Sequence, residues 1–409
     1  MKITPRGVSQ AFLFLLDLVM CGAKCTTGKV KKIKYRKRKA IKMKKILSVL
    51  LALTMVFAMA ACGATDTPAD NGSETRTFTD GIGRVVEIPA TIERIVPLGN
   101  TPRMCVYLGL ADKFVGIGEC EIASSPIMAY AYPHREEWAQ LPNVGTDAMG
   151  ETAYYAEEII QAAPDIILCN YTADVADNIQ TQTGIPVVAV PEANLFSPEY
   201  EVCFRTLGDA CGVSERAEEV IAYINDSLAD LDSRTKDIPE EGKPAVLGAG
   251  ATFKGSHSID GVYTNYSVFE TLHANDVADG ISGQTGSSGV MVDREQIIAW
   301  DPDMIFFDAG SMELVRNDYA DNPGYFKQLK AVKNGELYQW PNSTYHWSNV
   351  EIPLVSSYFV GSLLYPEAFA DIDFDAKAAE IFTFFIGEPD YLQVLKDAGA
   401  GYGKVTLGD

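Results

Sequence analysis

The chain has 409 residues, 47% hydrophobic and 10% aromatic, enough apolar mass for two packed domains and too much for a disordered chain. Its formal net charge of −21 hides an asymmetry: residues 1–61 carry 14 of the 34 Lys/Arg and one acid, Asp17, which leaves 20 basic and 54 acidic residues in 62–409, a net −34. A surface of that sign repels nucleic acid and anionic lipid, and suits a neutral or cationic ligand slightly better than an anion.

Residues 1–42 contain an apolar run, Ala11 to Cys21, and then a dense basic stretch, Lys29 to Lys42. A signal peptide rarely follows such a leader. Two readings stay open: a mis-assigned upstream leader with translation from Met43, or a genuine extended basic N-region. Segment 43–61 opens with Met43-Lys44-Lys45, and Ile46 to Ala61 is apolar apart from Ser48 and Thr54. That run is short for a membrane span and suits a signal peptide. Its end, Met59-Ala60-Ala61-Cys62, resembles the bacterial lipobox, whose cysteine is lipidated on sulfur and becomes the mature N-terminus. Residues 62–75 read as a flexible tether rich in Thr, Asp, Gly and Ser. The bland alternative is a buried cysteine after an ordinary hydrophobic helix. The later cysteines, Cys105, Cys120, Cys169, Cys203 and Cys211, are odd in number and form no CxxC pair. They argue against a disulfide framework or zinc ribbon, and five unpaired thiols outside the cytoplasm suggest an anoxic habitat.

An N-terminal α/β lobe is expected over 76–197. Thr77 to Ile88 alternates around Asp80-Gly81 as a hairpin. Arg94 to Leu98 is a buried strand, Arg103 to Leu110 a helix and Phe114 to Ile117 the next strand, the opening of a doubly wound sheet. Ala153 to Ala163 and Val175 to Thr183 read as helices, Asp165 to Cys169 and Ile185 to Val190 as strands. A connecting helix follows over 198–236, with apolar residues at helical spacing and a break at Gly212. The C-terminal α/β lobe is expected over 243–390. Its strands are Ala245 to Gly248, Met304 to Asp308 and Glu336 to Trp340. Its helices are Val268 to Leu272, Val290 to Trp300 with Asp293 and Gln296 as a capping pair, Pro353 to Tyr365, and Lys377 to Ile386. Residues 391–409 form a tail.

One phrase occurs twice. Glu157-Glu-Ile-Ile-Gln-Ala-Ala-Pro164-Asp165-Ile-Ile-Leu168 matches Glu295-Gln-Ile-Ile-Ala-Trp-Asp-Pro302-Asp303-Met-Ile-Phe306 at six of twelve positions. Each reads as a helix end, a proline that stops it and a buried strand. A common α/β connection explains Pro-Asp, but not the matched glutamates. The repeat implies two lobes of like architecture and a cleft between them.

The arrangement resembles the substrate-binding lipoproteins of ABC importers for siderophores, haem and corrinoids, the periplasmic binding proteins with a helical backbone. The resemblance covers about residues 76–388. Its marks are Thr79-Asp80-Gly81-Ile82-Gly83-Arg84, Pro89 to Val96, Leu108 to Ile117, Asn143-Val144-Gly145, both Glu-to-Pro-Asp phrases and Ala274 to Asp279; their order and spacing carry it. It implies two doubly wound α/β lobes joined by a long helical connector, with a ligand cleft between them. It places the permease-docking glutamates at Glu157 and Glu295, with Glu158 able to replace Glu157. The implied receptor is a monomer on the outer face of the cell membrane, held in the bilayer by lipidated Cys62. Its partners are a permease dimer with a cytoplasmic ATPase. The ligand is a metal complex: an iron(III)-siderophore, or else haem, a corrinoid or a metal oxyanion. No intrinsic cofactor, resident metal or nucleic acid is expected.

Ligands of open α/β sheets bind beyond the carboxyl ends of the strands. That rule selects Asn100, Arg103, Tyr171, Phe253, Lys254, His257, Tyr345, His346 and Trp347. The aromatic residues would wall a pocket, and Arg103, Lys254 and His257 would meet carboxylate or catecholate oxygens. His346 would instead ligate a metal in the bound complex. Against this, a lone loop histidine usually faces solvent or makes a local hydrogen bond, and aromatics at strand ends are commonly core edge. An enzyme is not expected: Gly248 to Gly255 is neither GxGxxG nor a P-loop, because Ser256 stands where the lysine is required. The four histidines, 134, 257, 273 and 346, are too scattered for a multi-histidine metal site. A sensor ectodomain without a transport role is the non-enzyme rival.

Overall fold

The structure, a computed structural model, describes residues 74–148, 151–253, 255–281, 289–342 and 349–408, all within the unit 72–409. The signal and anchor segment with Cys62 lies outside them. The expected hairpin is present as β1 (Thr75–Thr79) and β2 (Val85–Pro89), paired antiparallel. Asp80 organises its turn: Oδ1 accepts from the backbone of Arg84 at 2.8 Å, and Oδ2 from the Arg84 guanidinium at 3.0 Å and from Ala189 N at 3.1 Å.

Next come β3 (Ile95–Pro97), helix Thr101–Tyr107, and an antiparallel hairpin of β4 (Gly145–Ala148) and β5 (Glu151–Tyr154). The hairpin shortens the helix expected from Ala153, which runs Ala156–Ala162. Backbone pairing from Gly145 to Tyr154 outweighs the helical pattern there, and a Cβ at Gly145 would sit 2.5 Å from Ala153 O. Strands β6 (Ile166–Cys169) and β7 (Val187–Ala189) complete a parallel sheet in the order β3-β6-β7. The expected strand at 114–117 appears only as bridges Ile95↔Phe114 and Ile117↔Asn143 that extend this sheet.

The connector is a helical hairpin rather than one helix. Helix Pro198–Cys211 ends at Gly212, left-handed at φ 74°, and helix Ser214–Thr235 turns back against it.

The second lobe contains β8 (Ala245–Ala249), β9 (Gly261–Val262), β10 (Asn275–Asp276), β11 (Val290–Met291), β12 (Met304–Asp308), β13 (Leu337–Trp340) and β14 (Gly403–Lys404). The order is β11-β9-β8-β12-β13-β14, with β10 also on β8. The centre is parallel, but β9, β11 and β14 pair antiparallel, so this sheet is mixed. Within the expected C-terminal tail, helix Tyr391–Asp397 precedes β14, which pairs with β13. Asp293 stands at the N-cap of helix Arg294–Trp300, but its side chain makes no cap bond; its carbonyl accepts from Gln296 N at 2.9 Å.

Strand side chains alternate between two cores. Ile95, Ile166 and Leu168 of one sheet join Val246, Phe306 and Trp340 of the other in a shared cluster, together with the connector and the C-terminal helices. Val96, Ile167 and Val187 form an outer core in the first lobe, and Leu247, Ile305 and Phe307 in the second. Both faces of each sheet are therefore buried, which explains the continuous apolar runs.

Candidate functional site

In the first lobe, β3 runs into Gly99, held at φ 64°. A Cβ there would meet Asn170 Oδ1 at 2.1 Å, so only glycine lets the loops after β3 and β6 cross. Asn170 Oδ1 accepts the Asn100 backbone N–H at 2.9 Å. Asn100 is buried, and Tyr171 is half-buried in a small pocket with Gly99, Pro102, Cys120, Glu121 and Thr146. Arg103 is only 1% exposed. Its Nη2 donates to Tyr130 Oη at 3.3 Å, its guanidinium lies 4.7 Å from that ring, and Tyr130 donates onward to Glu121 at 2.8 Å.

In the second lobe the strand ends converge on Asp308, fully buried at the end of β12. Its carboxylate accepts from Tyr263 Oη at 2.6 Å, Thr252 Oγ1 at 3.0 Å and Gly310 N at 2.8 Å. Asn342, beyond β13, donates to Thr252 Oγ1 at 2.5 Å. Burial pushes the Asp308 carboxyl up to about 6 even with these three donors. The Phe253 and His257 rings lie 4.2 Å apart, tilted by 30°, and His257 Nε2 donates to Phe253 O at 2.8 Å. The imidazole is thus used within its own loop. Lys254, Tyr345, His346 and Trp347 lie outside the described residues.

The two lobes meet where helix Thr101–Tyr107 faces the segment after β13. Tyr107 Oη donates to Glu351 Oε2 at 2.5 Å and accepts from Val350 N at 3.2 Å. Glu351 is fully buried, and burial raises its pKa against the Tyr107 hydroxyl and backbone N–H groups that favour the carboxylate. The carboxyl ends of both sheets thus bring Asn100, Arg103 and Tyr171 to one side and Thr252, Asp308 and Asn342 to the other. The sequence places Asp308 at the end of a strand but selects neither it nor Asn342 for the site. An acid closing the apolar strand Met304–Asp308 was the available signal.

Glu157 and Glu295 are both exposed in the first turn of seven-residue helices, Ala156–Ala162 and Arg294–Trp300. The five cysteines from Cys105 to Cys211 are free; four are buried and Cys120 is half-buried. Burial raises the thiol of Cys169 to about 11 and those of Cys203 and Cys211 to about 12, so they remain protonated. Among the described residues, no three His, Cys, Asp or Glu side chains are grouped to hold a metal ion. His134 stacks on Trp138 at 4.8 Å, and His273 Nε2 lies 2.9 Å from Asp232.

Two α/β lobes bridged by helices, with polar loops from the carboxyl ends of both sheets, define a two-lobed ligand-binding protein. Residues 104–344, more than half of the chain, match the periplasmic binding protein family, and the chain belongs to it. It is 24% identical over 311 residues to the "Uncharacterized ABC transporter substrate-binding lipoprotein YvrC" of Bacillus subtilis, covering 72% of this chain and 90% of the relative. It is also 24% identical over 310 residues to the "Probable siderophore-binding lipoprotein YfiY" of the same organism, covering 73% and 91%. A solved periplasmic solute binding protein from Veillonella parvula has the same fold, with a TM-score of 0.60 at 22% identity over 76% of this chain and 93% of that one.

Proposed function

We propose that this chain is the extracytoplasmic, lipid-anchored receptor of an ABC importer. It captures an iron(III)-siderophore or related metal chelate between its lobes and delivers it to a permease dimer with a cytoplasmic ATPase. The observation that carries the reading is the matched pair of exposed glutamates, Glu157 and Glu295, at equivalent positions of the two lobes. Two like charges on separate lobes suit a two-fold partner that presents a cation to each. The family supports the receptor role, and the name of the YfiY relative supports the ligand class.

The test is a Glu157→Ala/Glu295→Ala protein reconstituted with its importer. Removing one partner of a charge pair that docking buries costs about 2 kcal/mol or more, so uptake should fall roughly 30-fold or further while chelate affinity stays unchanged. Uptake equal to that of the parent would overturn the reading. The absorption spectrum and native mass of protein purified from its host identify the chelate and separate an iron siderophore from haem or a corrinoid. For the anchor, Cys62→Ser should move the protein from the membrane to the soluble fraction; continued sedimentation with membranes would count against it.

A further inference from the structure

The repeated phrase has the same hydrogen-bonded form in both lobes, and its aspartates are the common element. In the first lobe, Asp165 N donates to Arg94 O at 2.8 Å, and Asp165 Oδ2 accepts from Arg94 N at 2.9 Å and Glu93 N at 2.8 Å. In the second, Asp303 N donates to Ala245 O at 2.8 Å, and Asp303 Oδ2 accepts from Ala245 N at 2.8 Å. Each ring closes on the amino end of a strand, β3 or β8, whose carboxyl end carries the cleft loop with Asn100 or Thr252.

The short helix before each aspartate is fixed equally well. Ala163 and Asp301 leave it in the left-handed conformation, at φ 46° and 41°. Non-glycine residues hold that conformation at a cost of about 1 kcal/mol or more, and only where the surroundings enforce it. Arg94 helps by donating to Ala162 O at 2.6 Å and Ala163 O at 2.8 Å. Asp301 Oδ1 accepts from Lys330 N at 2.7 Å.

We infer that Asp165 and Asp303 are positioning residues that fix the helices bearing Glu157 and Glu295 to the strands bearing the cleft loops. The inference rests on the docking role proposed for those glutamates. With both rings closed, a shift of one lobe against the other moves its glutamate by the same amount. The spacing of the two glutamates then reports the state of the cleft.

The test is a double-mutant cycle on full-length receptor without added chelate, reading equilibrium docking to the detergent-solubilised importer. Asp165→Ala should weaken docking about ten-fold in the parent and less than about two-fold in Glu157→Ala, because it acts through the glutamate. Asp303→Ala should behave likewise against Glu295→Ala. Asp165→Asn, whose carboxamide oxygen still accepts, should dock within about three-fold of the parent. Where Asp165→Ala does not fold, Asp165→Glu replaces it in the cycle, keeping the charge on a longer arm. Independent, additive losses, or unaltered docking by a folded aspartate variant beside a weakened glutamate variant, would overturn the positioning role alone. Full docking by both glutamate variants would overturn the docking reading itself and this inference with it.

Discussion

Asp308 shows how one buried residue at the strand ends can cost stability. Its carboxyl titrates near 6 when folded, against 3.8 unperturbed, because burial penalises the charge more than three donors relieve it. An acid raised on folding binds more protons in the native state, so its contribution to stability is full below the unfolded value and is lost as pH rises through the folded one. Between pH 4 and 6 this group should remove on the order of 3 kcal/mol. Asp308→Asn should abolish that part of the decline in urea-unfolding free energy; an unchanged pH slope would reject the assignment. A carboxylate kept at this cost, bonded to Thr252 and Tyr263, orients polar groups at the strand ends.

At the scale of elements, the connector hairpin depends on Gly208. A Cβ there would lie 2.7 Å from Ala217 Cβ, where helices Pro198–Cys211 and Ser214–Thr235 touch. Gly208→Ala gains about 1 kcal/mol of helix propensity but overpacks the contact by about 1–3 kcal/mol. Urea unfolding should show a net loss of roughly 1 kcal/mol; a stabilised variant would mean the helices separate freely. The connector's helical character was legible from apolar spacing, as were Met304–Asp308 and the helix ends of the repeat, because periodicity and proline are local signals. The break of the connector at Gly212 was legible too, whereas the β4–β5 hairpin and the antiparallel strands β9, β11 and β14 were not. Strands β11 and β14 pair with segments distant in sequence, β9, β11 and β14 have two residues each, and the β4–β5 pairing is hidden under a helical pattern. For the site, the strand-end rule selected loops that do follow the carboxyl ends of the strands. It could not show that Arg103 is shared with Tyr130 or that His257 is bonded within its own loop, since both follow from side-chain packing.

Across the whole molecule, the lobes are tied by more than the connector. They share one hydrophobic cluster, and Tyr391 Oη donates to Pro126 O at 2.7 Å. The Tyr107 hydroxyl adds a buried tie between Glu351 and Val350. Such a molecule should close by small shear rather than by a wide hinge motion. It should also unfold as one unit, because separating the lobes exposes their common core. Tyr107→Phe tests the second point. It keeps the ring packed on Phe385 at 5.1 Å but takes one donor from the buried Glu351 carboxyl and one acceptor from the buried Val350 N–H. The cost should be about 2–4 kcal/mol. Urea unfolding followed by tryptophan fluorescence and by far-ultraviolet circular dichroism should then give coincident single transitions, both at lower denaturant than in the parent. If the two probes separated in the parent, the lobes would be independent folding units and the shared cluster would not couple them.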